Sequence, residues 1–303
     1  MSEKIYDIVS VGAGAAGMTA ALYALRAKKT VLLFEATASG GQIINTHKID
    51  NYPAATGISG VEFSTTLKKQ VESFGGEFEF AKVEKITEKD GIFSVETDDE
   101  DLGEIQGKTI IIANGSTERK LGLEKEEKFV GRGISYCATC DGGFFKGKRV
   151  AVYGGGNTAL YSALYLSEIA EKVFILARHE LRAEKSLVEK AEKLENIEIF
   201  RDSPIAELLG EKKFEGVRIK DGRELRLDGL FVSIGRLPEN EAFRGFVELE
   251  EAGYIKSDET CKTSREGVFC AGDTRAKTLH QLVTATADGA TAATAAIEYL
   301  QHS

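Results

Sequence analysis

Short apolar runs that end at a glycine recur along this chain and predict the buried strands of parallel sheets. The runs at 5–11 and 148–153 are each followed by a glycine-rich turn and then by a stretch rich in Ala and Leu. Those stretches predict helices over 16–27 and 157–169. The chain therefore holds two β-α-β units, whose second strands are predicted at 30–34 and 172–176.

The first glycine-rich turn has the residues that a dinucleotide pyrophosphate requires. Gly12 permits a tight turn, Gly14 lets the backbone approach a phosphate, and Gly17 lets the helix pack closely on the strand. Glu35 follows the second strand, where a carboxylate can accept hydrogen bonds from ribose hydroxyls. We expect a dinucleotide here, and the alternative is a glycine turn without a ligand.

The second turn has the same pattern but a different ending. Gly154 and Gly156 stand in the first two glycine positions, and Ala159 takes the place of the third. No acid ends the following strand; Arg178 and Arg182 come shortly after it. Because arginines pair with the 2′-phosphate of NADP whereas an acid repels it, this unit favours NADPH over NADH. A solvated basic turn is the alternative.

The remaining strands indicate that one domain is inserted into the other. Apolar runs at 109–115 and 267–271 flank the second unit, and an Ala-rich helix is predicted from about Leu279. We expect this tail to complete the first domain, and a strand at 230–234 to be the last of the second. The predicted fold class is α/β, with two Rossmann-like, three-layer dinucleotide-binding domains, the second inserted into the first. The predicted domains are 1–116 with 239–303, and 117–238.

Composition and charge limit the classes of partner. The chain has 303 residues, 42% of them hydrophobic, which is enough for two cores. A formal net charge of -9 argues against nucleic acid as a partner. No apolar run is long enough to cross a bilayer. The N-terminus is acidic and leads directly into a strand, so we expect no signal peptide, no membrane partner and a cytoplasmic protein.

Cys137-Ala138-Thr139-Cys140 is the segment with the most distinctive chemistry. Two thiols separated by two small residues can form a disulfide and reopen it, which stores two electrons. Zinc is the alternative, but it needs about four ligands, and Cys261, Cys270 and the histidines show no matching spacing. We expect no metal, and Cys261 and Cys270 to be ordinary buried side chains.

Taken together, these segments resemble the low-molecular-weight thioredoxin reductases, class II pyridine nucleotide-disulfide oxidoreductases. The resemblance covers nearly the whole chain. Besides the two turns, it rests on the redox segment 131–142, on two segments like the family's flavin contacts, and on a C-terminal flavin motif. These flavin segments are Gly40-Gly41-Gln42, Asn51-Tyr52-Pro53, and 267–273 with His280-Gln281-Leu282.

The resemblance implies FAD in the first domain, NADPH (with NADH possible) in the second, a homodimer, and thioredoxin or a thioredoxin-like protein as electron acceptor. It implies that Cys140 is the sulfur nearer the flavin, that Cys137 attacks the partner, and that Asp141 is the acid/base. Helix capping is the other role considered for Asp141. The residues expected at FAD are Gly12, Gly14, Ala15, Ala16, Gly17, Glu35, Ala36, Gly40, Gly41, Gln42, Asn51, Ala113, Gly115, Gly272, Asp273, His280, Gln281 and Leu282. Those expected at the nicotinamide nucleotide are Gly154, Gly156, Asn157, Thr158, Ala159, Arg178, His179, Arg182, Ile234 and Gly235.

Some residues depart from the family's pattern. His179 stands where the basic motif has an arginine, and one residue is missing before Arg182, which weakens the case for NADPH. Asn114 and His280 also replace the usual residues, and His47 is a further candidate near the flavin. The alternatives are a related CxxC flavoenzyme with another dithiol substrate, one that uses NADH or ferredoxin as donor, and a flavin-binding sensor without turnover.

Overall fold

The computed structural model describes residues 4–46, 48–55 and 57–302, so the candidate His47 lies outside the described residues. The strands of the described part, in chain order, are β1 (Ile5–Val11), β2 (Val31–Phe34), β3 (Glu77–Glu79), β4 (Val83–Lys89), β5 (Ile92–Thr97), β6 (Ile105–Ile112), β7 (Ser116–Glu118), β8 (Ile134–Ser135), β9 (Arg149–Tyr153), β10 (Lys172–Leu176), β11 (Ile197–Phe200), β12 (Ile205–Leu209), β13 (Gly216–Ile219), β14 (Glu224–Arg226), β15 (Gly229–Val232), β16 (Arg236–Pro238) and β17 (Val268–Cys270).

The α-helices of the described part are, in the same order, α1 (Ala15–Arg26), α2 (Gly60–Ser73), α3 (Glu126–Phe129), α4 (Ala138–Asp141), α5 (Asn157–Ser167), α6 (Lys185–Glu192) and α7 (Leu282–His302). Short 3₁₀ turns include Gly41–Asn45, which follows β2, and Gly142–Phe145, which follows α4.

The chain divides into two compact units. Unit 1 comprises Met1–Thr117 and Leu237–Ser303, and unit 2 comprises Glu118–Arg236. Unit 2 therefore interrupts unit 1 in sequence. The strands β7 and β16, which lie at the two crossings, pair with each other. The assignment of FAD to the first unit and a nicotinamide nucleotide to the second stays a prediction.

Unit 1 is built on a sheet in the order β3-β2-β1-β6-β5-β4, in which β17 also pairs with β6. The strand β6 runs parallel to β1 along most of its length. On its other side, Ile105–Gly107 pairs antiparallel with β5, and Ile110–Ile112 pairs parallel with β17. The final strand of the unit is thus added beside a strand made much earlier.

Both faces of this sheet are buried, which explains why its central strands are continuous apolar runs. In β1, Ile8 packs with the helices, whereas Val9 and Val11 pack in a second cluster on the opposite face. In β6, Ile111 belongs to the first cluster and its two neighbours belong to the second. Successive side chains therefore alternate between two cores.

Small residues bring α1 and α7 close together over the sheet. Buried alanines of α1 and α7 belong to one cluster with the strands beneath them. At Gly289 the approach is close, because a Cβ there would lie 2.2 Å from the carbonyl oxygen of Ala16. A larger residue at this position would therefore push α7 away from the first turn of α1.

Unit 2 has a sheet of parallel strands in the order β11-β10-β9-β15-β8, accompanied by the antiparallel sheet β12-β13-β14. On one face, Val150 and Val152 of β9 pack with α5. On the other face, Ala151 and Tyr153 pack with residues of the antiparallel sheet. The carboxyl ends of β9, β10 and β15 lie on one edge, where loops that bind ligands collect in sheets of this kind.

The predicted elements are found, some with shifted ends. The predicted strands 5–11 and 172–176 are confirmed as β1 and β10. The strand predicted at 109–115 is wrong at both ends, since β6 runs from Ile105 to Ile112. The last helix begins at Leu282, later than predicted, because the N–H of Ala285 donates to the carbonyl of Gln281, which places Gln281 at the cap.

Candidate functional site

The turn between β1 and α1 requires glycine at two positions. Gly12 has a φ of +104°, and a Cβ there would lie 2.5 Å from the carbonyl oxygen of Ala113. A Cβ on Gly17 would lie 2.0 Å from the carbonyl oxygen of Gly12. Any larger residue would push α1 away from the turn, so the geometry is that of a dinucleotide-binding turn.

Gly14 occupies the N-cap of α1, where the first N–H groups of the helix have no partner within the helix. Among the described residues, a Cβ on Gly14 would meet only Gly40 and Gly41, both at 3.9 Å, so one side of the turn is open. The N–H of Gly40 donates to the carbonyl of Ala13 at 2.8 Å, which holds this second glycine pair beside the turn. Ala15 and Ala16, which begin the helix, are buried.

Glu35 follows β2 and is bonded to the same turn. Its carboxylate accepts hydrogen bonds from the N–H of Ala13 at 3.0 Å and from the N–H of Thr37 at 3.1 Å. Ala36 beside it is exposed. The carboxylate is only half-buried, so it remains accessible to a ribose while it orders the turn.

Two candidates that are distant in sequence meet directly. The amide nitrogen of Asn51 donates to Oε1 of Gln281 at 3.0 Å. Next to Gln281, the ring of His280 contacts the ring of Tyr254 at a tilt of 38° with the ring centroids 5.4 Å apart, and Leu282 begins α7. Gln42 is exposed on the 3₁₀ turn Gly41–Asn45.

The Gly272-Asp273 segment rests on a buried ion-pair network. The N–H of Gly272 donates to Oδ2 of Asp288 at 3.1 Å. Asp288 also pairs with Arg275 at 2.7 Å and with Lys277 at 2.8 Å. Lys277 lies 3.8 Å from Asp273. Removing one member of such a network leaves an uncompensated buried charge, so this segment is firmly held.

Two buried oxygen atoms of unit 1 have no hydrogen-bond partner within the described residues: Oγ of Ser39 and Oδ1 of Asn114. Ser39 precedes Gly40, and Asn114 lies between the candidates Ala113 and Gly115. An unsatisfied buried polar atom costs about 1–3 kcal/mol, which a polar ligand can relieve. Together with the open turn, these atoms show that the residues present fit a dinucleotide.

The turn between β9 and α5 repeats the arrangement in unit 2. Gly154 has a φ of +155°, and a Cβ there would lie 2.2 Å from the carbonyl oxygen of Ser233. Gly156 is the N-cap of α5, and no heavy atom of the described residues lies within 4 Å of a Cβ built on it. Ala159 is buried against this turn, whereas Asn157 and Thr158 lie on the more exposed side of the first turn of α5.

The segment after β10 folds back on this second turn. The N–H of Arg182 donates to the carbonyl of Gly155 at 2.7 Å. Arg178, His179 and Arg182 are all exposed. The predicted cations are therefore close to the glycine turn and available to an anion.

Ile234 and Gly235 lie just after β15, on the same edge of the sheet as the turn. Ile234 is partly buried in the core of unit 2. The carbonyl of Gly235 accepts a hydrogen bond from the N–H of Arg119 at 3.0 Å. This bond ties the end of β15 to the segment that follows β7.

Cys137 and Cys140 form a disulfide, with their Cα atoms 5.3 Å apart. Cys137 is the N-cap of α4, which contains Cys140 and ends at Asp141. Both cysteines are half-buried. Cys261 and Cys270, in contrast, are buried free thiols, as the sequence predicts.

Ser135 joins Asp141 to the redox pair. Its hydroxyl donates to Oδ2 of Asp141 at 2.6 Å, and its Oγ accepts from the N–H of Cys137 at 3.0 Å. Among the described residues, Asp141 makes no side-chain cap to the helical turn that follows it. The helix-capping role considered for Asp141 is therefore wrong, and its carboxylate is oriented toward the disulfide segment instead.

Comparison with known proteins decides the family. The family described as pyridine nucleotide-disulphide oxidoreductase matches residues 6–289 of the chain. The chain belongs to this family. Membership of the pyridine nucleotide-disulphide oxidoreductases implies a flavin and a pyridine nucleotide.

Individual oxidoreductases of this family are similar over their whole lengths. A thioredoxin reductase of Treponema pallidum is 41% identical over 305 residues, which cover 98% of each chain. One of Listeria monocytogenes is 39% identical and covers 99% of this chain and 95% of its own. The crystal structure of thioredoxin reductase from Streptococcus pyogenes, 37% identical, aligns over all of both chains with a TM-score of 0.92. These likenesses confirm the resemblance and the predicted α/β class with two dinucleotide-binding domains.

One buried carboxylate of this oxidoreductase, Glu126, was not predicted from the sequence. Glu126 is buried and accepts hydrogen bonds from the N–H groups of Leu121 and Gly122 and from the hydroxyl of Tyr136. Burial and the bond to Glu126 raise the pKa of Tyr136 well above its ordinary value. Because Tyr136 precedes Cys137, Glu126 anchors the start of the redox segment. Glu126 lies ten residues before Tyr136, and this spacing matches no helical or strand pattern from which the contact could be predicted.

The described residues offer no support for a metal centre or a membrane span. Within residues 4–46, 48–55 and 57–302, no group of three or more His, Cys, Asp or Glu side chains is arranged to hold a metal ion. Over the same residues, no helix combines the length and apolar character needed to span a membrane.

Proposed function

We propose that this chain is a thioredoxin-disulfide reductase that transfers electrons from NADPH, through FAD and the Cys137–Cys140 disulfide, to oxidised thioredoxin or a thioredoxin-like protein. The observation that carries the proposal is a disulfide at the start of a helix, beside a carboxylate, in a unit that also has a dinucleotide-binding turn. The relatives that bear the name thioredoxin reductase support it.

The two nucleotides are assigned from the residues that follow the second strand of each unit. Glu35 follows β2 in unit 1 and suits the ribose hydroxyls of FAD. Arg178 and Arg182 follow β10 in unit 2 and suit the 2′-phosphate of NADPH. Unit 1 is therefore proposed as the FAD-binding domain and unit 2 as the NADPH-binding domain.

A flavin held by the Gly12–Gly17 turn and Glu35 would supply hydride transfer from NADPH and the two electrons needed to reduce the Cys137–Cys140 bond. The thiolate of Cys137 then attacks one sulfur of the thioredoxin disulfide, and the other sulfur leaves with the bonding electron pair. Cys140 attacks Cys137 in the mixed disulfide, which releases reduced thioredoxin and restores the Cys137–Cys140 bond. Asp141 accepts the proton of the attacking thiol and returns it to the leaving sulfur.

A homodimer and a cytoplasmic location complete the proposal. Both rest on the resemblance to the family. A disulfide that opens in every cycle belongs among the transient, catalytic disulfides of reducing compartments. Light scattering of the purified protein during gel filtration tests the dimer.

Anaerobic titration of the purified protein tests the reaction. We expect NADPH to bleach the flavin absorbance at lower concentrations than NADH, and added oxidised thioredoxin to restore it. Cys140→Ser should keep its flavin but fail to reduce thioredoxin, whereas Cys261→Ala, which removes a buried free thiol, should retain turnover. A colourless protein that does not take up FAD contradicts the proposal, as does thioredoxin reduction by Cys140→Ser.

A further inference from the structure

Arg201 lies beside the candidate cations although it follows a different strand, β11. In the register of the sheet, Leu176 of β10 pairs with Phe200 of β11. The N–H of Ala177 donates to the carbonyl of Phe200 at 2.9 Å, which continues this register past the end of β10. Arg201 therefore leaves its strand at the same level as Ala177, next to Arg178.

Two carboxylates hold the Arg201 side chain. Its Nη2 lies 2.7 Å from Oε1 of Glu192 on α6, and its Nε lies 3.5 Å from Oε2 of Glu180. Glu180 stands in the loop between Arg178 and Arg182. The Glu180 side chain is 76% exposed, and such a surface ion pair is weak because water screens it. The contact can therefore be exchanged for a stronger one.

The charge of the loop explains why a further cation is needed. Residues 178–182 contain two arginines and one glutamate, which gives these three side chains a net charge of one positive unit. A phosphate monoester carries about −1.5 to −2 at neutral pH. Arg201 adds a third guanidinium beside this loop. Its charge is offset by Glu192, so its advantage lies in geometry: a planar guanidinium matches a phosphate better than an imidazole does.

We propose that Arg201 completes the binding site for the 2′-phosphate of NADPH, exchanging its contact with Glu180 for the phosphate, and that it adds to the preference over NADH that Arg178 and Arg182 provide. This inference rests on the proposed function, because it assumes that the nucleotide of unit 2 lies on the Gly154–Gly156 turn. It differs from the basic motif of the family, since Arg201 lies outside that segment.

Binding of 2′,5′-ADP and of 5′-AMP, measured by calorimetry, tests the proposal without any need for turnover. Arg201→Gln should weaken the affinity for 2′,5′-ADP about tenfold, as expected for one charge-assisted contact. The affinity for 5′-AMP should change by less than about twofold. Glu180→Gln should strengthen 2′,5′-ADP binding, because Arg201 is then released from a competing carboxylate. Arg218→Gln is the matched control: Arg218 is equally exposed and held by two carboxylates, Glu207 and Glu224, but lies on β13. It should change neither affinity.

An equal loss for 5′-AMP, or the same loss in Arg201→Gln and Arg218→Gln, overturns the role of Arg201. If the unsubstituted protein reduces thioredoxin with NADPH while Arg201→Gln binds 2′,5′-ADP normally, only this inference fails. If NADPH does not reduce the flavin of the unsubstituted protein, the proposed function fails and the inference with it.

Discussion

The hydroxyl of Ser135 bridges Asp141 and the backbone of Cys137, with distances of 2.6 Å to Oδ2 and 3.0 Å to the N–H. Ser135 is itself buried, at 5% exposure, whereas Asp141 is half-buried. The short hydrogen bond from a fixed, buried hydroxyl restricts the orientation of the carboxylate. The acid/base proposed for the thiol chemistry is therefore positioned by a residue outside the CxxC motif.

Ser135→Ala should lower kcat for thioredoxin reduction about tenfold, because Asp141 loses the bond that orients it. The KM for thioredoxin and the flavin content should stay the same. Ser167→Ala is the control, since it also removes one partly buried hydroxyl from unit 2, where Ser167 donates to Leu164. Full activity of Ser135→Ala, or equal losses in the two variants, contradicts the positioning role.

Gly156→Ala should impair nucleotide binding without affecting the fold. Its backbone is extended, with φ −97°, and the described residues leave open space for a Cβ. The new methyl group would instead meet the pyrophosphate, so KM for NADPH should rise about tenfold or more at an unchanged melting temperature. Gly143→Ala, also in open space, should leave that KM unchanged. An unaltered KM in Gly156→Ala would show that the nucleotide lies elsewhere.

Counting reactive thiols tests the assignment of the four cysteines. Burial raises the pKa of Cys261 to about 12 and that of Cys270 to about 11, so both stay protonated at pH 8. The native oxidised protein should therefore react with no equivalents of a thiol reagent. After reduction by NADPH it should react with two, from Cys137 and Cys140. Rapid reaction of a third thiol in the folded, NADPH-reduced protein would contradict this assignment.

Gly289→Ala should destabilise unit 1. Helix propensity alone would make alanine the better residue by about 1 kcal/mol. The 2.2 Å approach of its Cβ to the carbonyl of Ala16 outweighs that gain, and forced repacking costs about 1–3 kcal/mol. The thermal midpoint should therefore fall, whereas Ala287→Gly, at an exposed position of the same helix, reports the propensity term alone. A raised midpoint for Gly289→Ala contradicts the packing.

Asp7 should stabilise the fold in a pH-dependent way. Burial raises the pKa of Asp7, but hydrogen bonds from Thr30 and Lys108 outweigh it, so the pKa is lower in the folded protein than in the unfolded chain. The stabilisation is therefore present above the unfolded value of about 3.9 and is lost as pH falls through the folded pKa. Asp7→Asn should lower the melting temperature at pH 7 by about 2–4 °C, and by progressively less below pH 4. If the difference in melting temperature between Asp7→Asn and the unsubstituted protein grew as the pH fell, the stabilisation by the Asp7 carboxylate would be contradicted.

The central strands could be predicted because a strand that is buried on both faces is a continuous apolar run, which can be recognised without knowing its partner strands. β1 and β10 are apolar throughout and need no knowledge of a partner. The hairpin β4–β5 and the sheet β12-β13-β14 were not predicted, because their short strands alternate with charged residues and resemble polar loops. The first residues of β6 were missed for the same reason, since Gln106 and Lys108 interrupt the apolar run.

The candidate site shows the same division. Glycine turns are visible in sequence because steric limits admit hardly any other residue there, as at Gly12 and Gly154. The partners of the redox segment are not visible, because Glu126 and Ser135 act through contacts that follow neither helical nor strand periodicity. Arg201 is brought to its place only by the pairing of β10 with β11.

The pairing of β17 with β6 and the packing of α7 on α1 have a consequence for synthesis on the ribosome. Unit 2 is complete in the nascent chain by Arg236, whereas unit 1 still lacks its last strand and longest helix at that point. We therefore expect unit 2 to fold first. Until β17 is synthesised, the half of β6 that pairs with it remains an exposed strand edge. A stop codon shortly before residue 268 would leave that edge without its partner permanently, and such a fragment should aggregate although most of the chain is present.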